Sequence, residues 1–288
     1  VIDRQAPICN VRNVTILLNA DGTATIGDAS IFNAGSFDEC NSLPLSFSVN
    51  RTIFICEDVG RQNPVVVTTT DAAGNFATCT ANVTVQDTVR PQLTVRNIQR
   101  TLTDINTPII VNAGELIISA SDNCGLMDSA NAPSVFTCAN LGVNVVRVVV
   151  RDASGNVGSA DAIVTIMDGV APECRLKTAT VMVNGGSTSI DSTTVNDGSF
   201  DPCGTIMTFK VSPNVFTCAD IGQRIVTATI TDAAGNVTVC STTVNVVDGN
   251  QLICVPKDIT VSLGENNTVT ITADDVDGGS GTGCGNPV

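Results

Sequence analysis

The sequence contains no histidine, no tryptophan and no tyrosine among its 288 residues. Without histidine it lacks the usual general base near neutral pH and the commonest nitrogen ligand for zinc or copper. Ser-His-Asp and Cys-His catalysis and histidine-ligated metal sites are thereby excluded. Basic residues are few: 14 Lys and Arg stand against 28 Asp and Glu, a net charge of −14. Such a chain offers no stripe of cations to neutralise phosphates, which excludes nucleic acid and anionic membrane as partners. No run of 18 apolar residues is present, so no membrane insertion is expected in this segment. Twelve cysteines are present, yet none forms a C-x-x-C pair, which removes zinc ribbons and thioredoxin-like redox motifs. That many cysteines imply disulfides in an oxidising compartment: secreted, at a cell surface or in a matrix. No signal peptide precedes Val1, so the sequence reads as mature or excerpted.

What remains is rich in Val, Ile and Thr, with Gly, Asn and Asp between them, the composition of short strands joined by turns. The acid is mostly Asp, 23 against five Glu; Asp favours turns and hard, oxygen-ligated cations. Internal repetition organises the chain. Thr70-Asp71-Ala72-Ala73-Gly74-Asn75 returns at Arg151–Asn156 and at Thr231–Asn236, each time followed by an alternating apolar run that closes on Asp87, Asp168 or Asp248. Upstream, Phe54-Ile55-Cys56, Phe136-Thr137-Cys138 and Phe216-Thr217-Cys218 mark a second shared position, each with Gly four residues beyond its Cys. Modules are therefore expected at 4–87, 88–168 and 169–248, with the end of a preceding module at 1–3 and the first half of a fourth at 249–288. Period-2 alternation with turn residues every eight to twelve positions predicts an all-β sandwich in each. In the first, strands are expected at 14–18, 23–26, 44–49, 52–56, 65–70 and 78–86, with Asp71–Asn75 as a hairpin loop.

The stretch Thr70–Cys79 through Val83–Asp87 closely resembles the C-terminal half of a hyalin repeat, T-D-x-x-G-N-x-A-x-C followed by alternating Val and a closing Asp. Asp3–Cys9, Asp168–Cys174 and Ser121-Asp122-Asn123-Cys124-Gly125 resemble its start and its mid-repeat D-N-C-G. The resemblance implies tandem immunoglobulin-like β-sandwich modules in a linear array, disulfide-stapled, of the kind found in extracellular matrix and cell-surface proteins, associated with adhesion and without catalysis. Where the family has Phe-Pro-x-Gly this chain has Phe-x-Cys, so the family's disulfide pairing does not carry over.

Four cysteines in a module allow three connectivities. The second module retains Cys124 and Cys138 but has Leu93 and Ala160 at the first and fourth positions. Their joint loss implies that first pairs with fourth and second with third. The expected bonds are Cys9–Cys79, Cys40–Cys56, Cys124–Cys138, Cys174–Cys240 and Cys203–Cys218. Cys254 and Cys284, a first and a second cysteine, are expected to find partners beyond Val288.

Asn13, Asn50, Asn82, Asn236 and Asn266 open Asn-x-Ser/Thr sequons, the acceptors for glycans on exposed loops. Asp87, Asp168 and Asp248, at module junctions, are the candidate ligands for a metal, Ca2+, with no cofactor otherwise required. Asp38, Asp122 and Asp201 beside the second cysteine and the run Asp274, Asp275 and Asp277 are further acidic positions. Turn capping accounts for the same residues. A glycosidase needs a carboxylate pair, but every prominent Asp repeats at a structural position; no catalytic residue is assigned and no enzyme activity is expected. The function this implies is structural: a stalk, matrix strand or filament formed by end-to-end stacking, whose partner is itself, as a head-to-tail homopolymer, or neighbouring modules of a longer chain. The alternative is a cell-surface adhesin whose sandwich-end loops bind carbohydrate or protein.

Overall fold

In a computed structural model, residues 3–40, 43–249, 254–281 and 284 are described. The chain divides into two compact units, Val1–Arg100 with Ile109–Phe136 and Gly142–Thr165, and Thr101–Pro108 with Thr137–Leu141 and Ile166–Val288.

In the first unit, the expected strands form at Val14–Leu17, Thr23–Thr25, Ser46–Val49, Ile53–Ile55, Asn63–Thr70 and Phe76–Gln86. Four of them make one sheet, in the order 14–17, 76–86, 63–70, 46–49, while 23–25 pairs with 53–55 in a second. The first strand runs parallel to the last, Val14 opposite Val83 and Ile16 opposite Val85; the other pairs are antiparallel. Alternation sends Val65, Val67, Val83 and Val85 inward, where they meet Phe32 and Phe54. The strand expected at 52–56 stops at Ile55, because Cys56–Asp58 turn into a 3-10 helix. The pattern then recurs. Leu126–Ala132, Gly142–Asp152, Val157–Asp168 and Ile98–Leu102 form a second four-stranded sheet, and two short pairs join Gln92–Val95 to Ile117–Ser121 and Ile109–Ile110 to Val135–Phe136.

In the second unit the same order is built from Ala179–Val183, Val237–Asp248, Gly222–Asp232 and Ile206–Ser212, with Ser187–Ser189 beside Val215–Thr217. Val181 lies parallel to Val246. Its core is Val183, Ile190, Val195, Phe216, Val226, Val244 and Val246. A parallel first-to-last pair closing an otherwise antiparallel sheet, with a second sheet across the core, is an immunoglobulin-like sandwich.

One-turn helices at Ala113–Leu116, Ser192–Val195 and Ala273–Val276, with a 3-10 turn at Ala29–Phe32, were not anticipated by the strand pattern. Four residues carry too little periodicity to show. Their start signals are nonetheless present: Asp28 and Asp191 accept the first-turn amides of Ser30 and Thr194, and Glu115 and Asp275 reach back to the backbone N–H of Asn112 and Thr272. No helix among the described residues is long and apolar enough to cross a membrane.

Candidate functional site

Two local motifs, one at each end of a module, present the cysteines. At Phe-x-Cys the phenylalanine is in the core: Phe54, Phe136 and Phe216 are all buried. The cysteine opens a 3-10 turn at Cys56–Asp58, Cys138–Asn140 and Cys218–Asp220. In each turn the third residue's side chain folds back to accept the backbone N–H before the cysteine. Asp58 accepts from Ile55 at 2.9 Å, Asn140 from Thr137 at 3.0 Å and Asp220 from Thr217 at 2.9 Å. The sequence signal of this turn is Cys-x-Asp/Asn, present at all three positions. A parallel bridge from Val59 to Val85 lays the first of these turns beside the closing strand that leads to Asp87.

The D-x-C motif sits at the other end, with Asp38 close to Asp3 and Asp71. The aspartate accepts the cysteine's own N–H: Asp38 to Cys40 at 3.2 Å, Asp122 to Cys124 at 2.9 Å, Asp201 to Cys203 at 3.2 Å. Second and third cysteines of one module therefore point opposite ways along it. That geometry corrects three of the expected bonds. Cys9–Cys79 and Cys174–Cys240 are present, but Cys40–Cys56, Cys124–Cys138 and Cys203–Cys218 are not. Instead Cys56 joins Cys124, Cys138 joins Cys203 and Cys218 joins Cys284, with Cα separations of 5.3, 4.9 and 5.2 Å. Cys284, expected to need a partner beyond Val288, has one in Cys218. Cys40 and Cys254 are exposed thiols. The joint replacement of the first and fourth cysteines by Leu93 and Ala160 in the second module bears on those two positions alone. The second and third cysteines do not close within their own module, because they lie at its opposite ends.

Asp58 also anchors the first turn to Arg51, which stacks over Phe54 at 4.4 Å and pairs with its carboxylate. Burial pushes the Asp58 carboxyl up, but the hydrogen bonds from Arg51 and the Ile55 amide, with the charges of Arg51 and Arg61, outweigh it, and it lies below the usual range. A depressed folded value means stability that is fully present above the unfolded pKa of about 3.9 and lost as pH falls through the lower folded one. The stability gap between wild type and Asp58→Asn in urea unfolding is thus expected to be constant near neutrality and to shrink only in that acid window. A gap independent of pH would contradict this role.

At the same ends the acidic residues converge. Asp3, Asp38 and Asp71 form one group, Asp87, Asp122 and Asp152 a second, and Asp168, Asp201 and Asp232 a third; within each, one carboxylate oxygen per residue lies within 4.8 Å of the others. Each group joins a junction Asp, the Asp of D-x-C and the Asp of the D-x-x-G-N hairpin. Junction Asp87 and Asp168 were expected to meet a neighbour's carboxylate. The hairpin Asp also caps its own turn: Asn156 donates its backbone N–H and its Nδ2 to the two oxygens of Asp152, each at 2.8 Å. Gly155, at φ 88°, permits the turn. Asn156 Nδ2 also reaches the backbone oxygen of Asp87 at 3.1 Å, fastening hairpin to junction. Burial pushes the Asp201 carboxyl up, the Cys203 amide holds it back, and the charges of Asp168 and Asp232 raise it further. Asp248 takes no part in such a group among the described residues; the position two before Cys284 is Thr282, not Asp. Asp275 and Asp277 cap Thr272 and Ser280 instead.

The sequons separate by environment. Asn13, Asn50 and Asn266 are exposed, and Asn82 is half-buried. Asn236 donates its amide to Asp168, Val170 and Asp232, so a glycan there would dismantle the hairpin.

No family model matches the chain. Over 203 residues, 66% of its length, it is 30% identical to Hyalin of Strongylocentrotus purpuratus, of which it spans only 16%. The modules are hyalin-repeat-like. Among solved structures the chain is similar to the I67–I69 I-band fragment of titin, at 12% identity and a TM-score of 0.41, covering 85% of this chain and 100% of that one. It is also similar to Drosophila N-cadherin EC1-4, at 13% identity and 0.34, covering 86% and 76%. The cysteines of the three Phe-x-Cys turns, Cys56, Cys138 and Cys218, are bonded to Cys124, Cys203 and Cys284. Five disulfides among the described residues place these modules outside the cell, where such bonds persist.

Proposed function

We propose that this chain is a structural element of a matrix strand, stalk or filament, in which successive modules are locked end to end by disulfides. The observation that carries the reading is the register of Cys56–Cys124, Cys138–Cys203 and Cys218–Cys284. The first two tie the Phe-x-Cys turn of one module to the D-x-C of the next, and the third ties the last such turn to Cys284 at the matching position, always in the same direction. Repetition in one direction makes heterologous contacts, which extend into an open strand wherever the rotation does not close a ring. Close approach supports it: a Cβ on Gly22 would sit 2.9 Å from the Asn123 oxygen and 3.1 Å from Cys56 Sγ. Cys40 occupies the same D-x-C position as Cys124 and Cys203, and its exposed thiol is the receptor for the Phe-x-Cys turn of a neighbouring module. Asn13, Asn50 and Asn266 are the positions where glycans would decorate the strand. Electron microscopy of native material, with and without reductant and denaturant, tests this. Strands that survive denaturant until reductant is added support it. Dispersed single particles in oxidising buffer would overturn it.

A further inference from the structure

The acidic groups raise a question of charge. Asp87 is 6% exposed, Asp152 1%, Asp201 9% and Asp232 1%, and no ion pair among the described residues reaches any of them. Carboxylates gathered out of water need either a proton or a cation to offset their repulsion. The hydrogen bonds show where a cation belongs. Asp87 uses Oδ1 to accept from the Val89 amide at 3.1 Å and from Asn123 Nδ2 at 3.3 Å, while Asp122 uses Oδ2 and Asp201 uses Oδ1 to hold the N–H of the following D-x-C cysteine. Their second oxygens, Asp87 Oδ2, Asp122 Oδ1 and Asp201 Oδ2, are buried and have no hydrogen-bond partner, and Asn123 Oδ1 is in the same condition. In the third group a Cβ on Gly204 would lie 2.5 Å from Asp201 Oδ2 and 3.4 Å from Asp168 Oδ2, so glycine keeps the space beside both oxygens clear.

We propose that Asp87–Asp122–Asp152 and Asp168–Asp201–Asp232 are two calcium sites, one beside each of the linking bonds Cys56–Cys124 and Cys138–Cys203. The donors are all oxygen, which selects a hard cation; no histidine exists, and the neighbouring cysteines are bonded as disulfides, so softer metals have no ligand. Oxygens bound at 2.3–2.6 Å to one calcium lie at most about 4.6–5.2 Å apart, which accommodates the 4.8 Å limit of each group. Magnesium, at 2.0–2.1 Å, demands a stricter octahedron and gives up its waters reluctantly, so a group of three protein carboxylates suits it less well. The ion would fasten the junction Asp of one module to the D-x-C of the next, so it deepens the end-to-end reading and rests on it.

The test is calcium titration by calorimetry, with thermal unfolding, on the full oxidised chain stripped with EGTA. Binding of at least two calcium ions is expected, with a rise in melting temperature of roughly 2–4 °C at ten times Kd that equimolar magnesium does not reproduce. Asp122→Asn and Asp201→Asn keep an oxygen for the cysteine amide but remove a charge. Each is expected to lower the stoichiometry by one, and in EGTA to melt no lower than wild type because repulsion is relieved. No heat and no shift in the wild type would overturn the proposal even if a variant failed to fold, as would variants that bind the same number of ions. Peptide mapping that finds Cys56–Cys124 intact in a chain that ignores calcium would leave the end-to-end reading standing and remove only the ion.

Discussion

Pulled by its two ends under oxidising conditions, the chain is expected to stop extending when the path between Cys9 and Cys284 reaches roughly 200 Å. Disulfides do not yield at forces that unfold domains, so force follows the shortest covalent route. That route crosses Cys9–Cys79, returns to Cys56, crosses to Cys124, continues to Cys138, crosses to Cys203, continues to Cys218 and crosses to Cys284. Only the stretches 56–79, 124–138 and 203–218 bear load, about 52 residues at up to ~3.6 Å each, plus the short spans of the bonds. After reduction the same two points separate to roughly 950 Å. Bonds closed within each module would leave roughly 450 Å, since 79–124, 138–174 and 240–284 would then carry the force. Single-molecule force spectroscopy distinguishes the three lengths, and an oxidised contour near the middle value would sink the linking connectivity. Each bond closes a loop of 65 to 70 residues, which by loop entropy stabilises the folded state by about 4 kcal/mol.

Phe216→Ala is expected to destabilise the chain by about 3–5 kcal/mol, the cost of a large side chain lost from a packed interior. Phe216 is 1% exposed and lies at the centre of a core otherwise built of Val and Ile. Because Cys218 packs against the same core, the variant should also lose the Cys218–Cys284 bond to dithiothreitol faster than wild type does. Phe76→Ala is the matched control: Phe76 is 63% exposed on a strand's outer face, and its removal should change stability by less than about 0.5 kcal/mol. Urea unfolding of both variants checks the contrast; equal losses would mean that the Phe-x-Cys phenylalanine is not the keystone of its core.

Alternation alone placed Val65, Val67, Val83 and Val85 inside, because a strand turns successive side chains to opposite faces wherever it lies. The same reasoning located the Asp71–Asn75 hairpin, whose hydrogen bonds span four residues, and the Cys9–Cys79 bond, whose paired absence in the second module the repeat displayed. These properties are local or recur at fixed period, and a repeat can be compared with itself. The partners of Cys40, Cys56 and Cys124 are of another kind. Which end of a sandwich a cysteine faces depends on how strands are ordered across the sheet, and spacing along the chain carries no record of that order. The acidic groups follow the same rule. Asp87, Asp122 and Asp152 are 30 or more residues apart in sequence and meet only because the hairpin, the D-x-C turn and the closing strand reach one end together. Composition determined that this chain would be β-rich, acidic and disulfide-bonded. Tertiary structure decided that three of its bonds would run from module to module, because opposite ends of one sandwich cannot touch each other but can touch their neighbours.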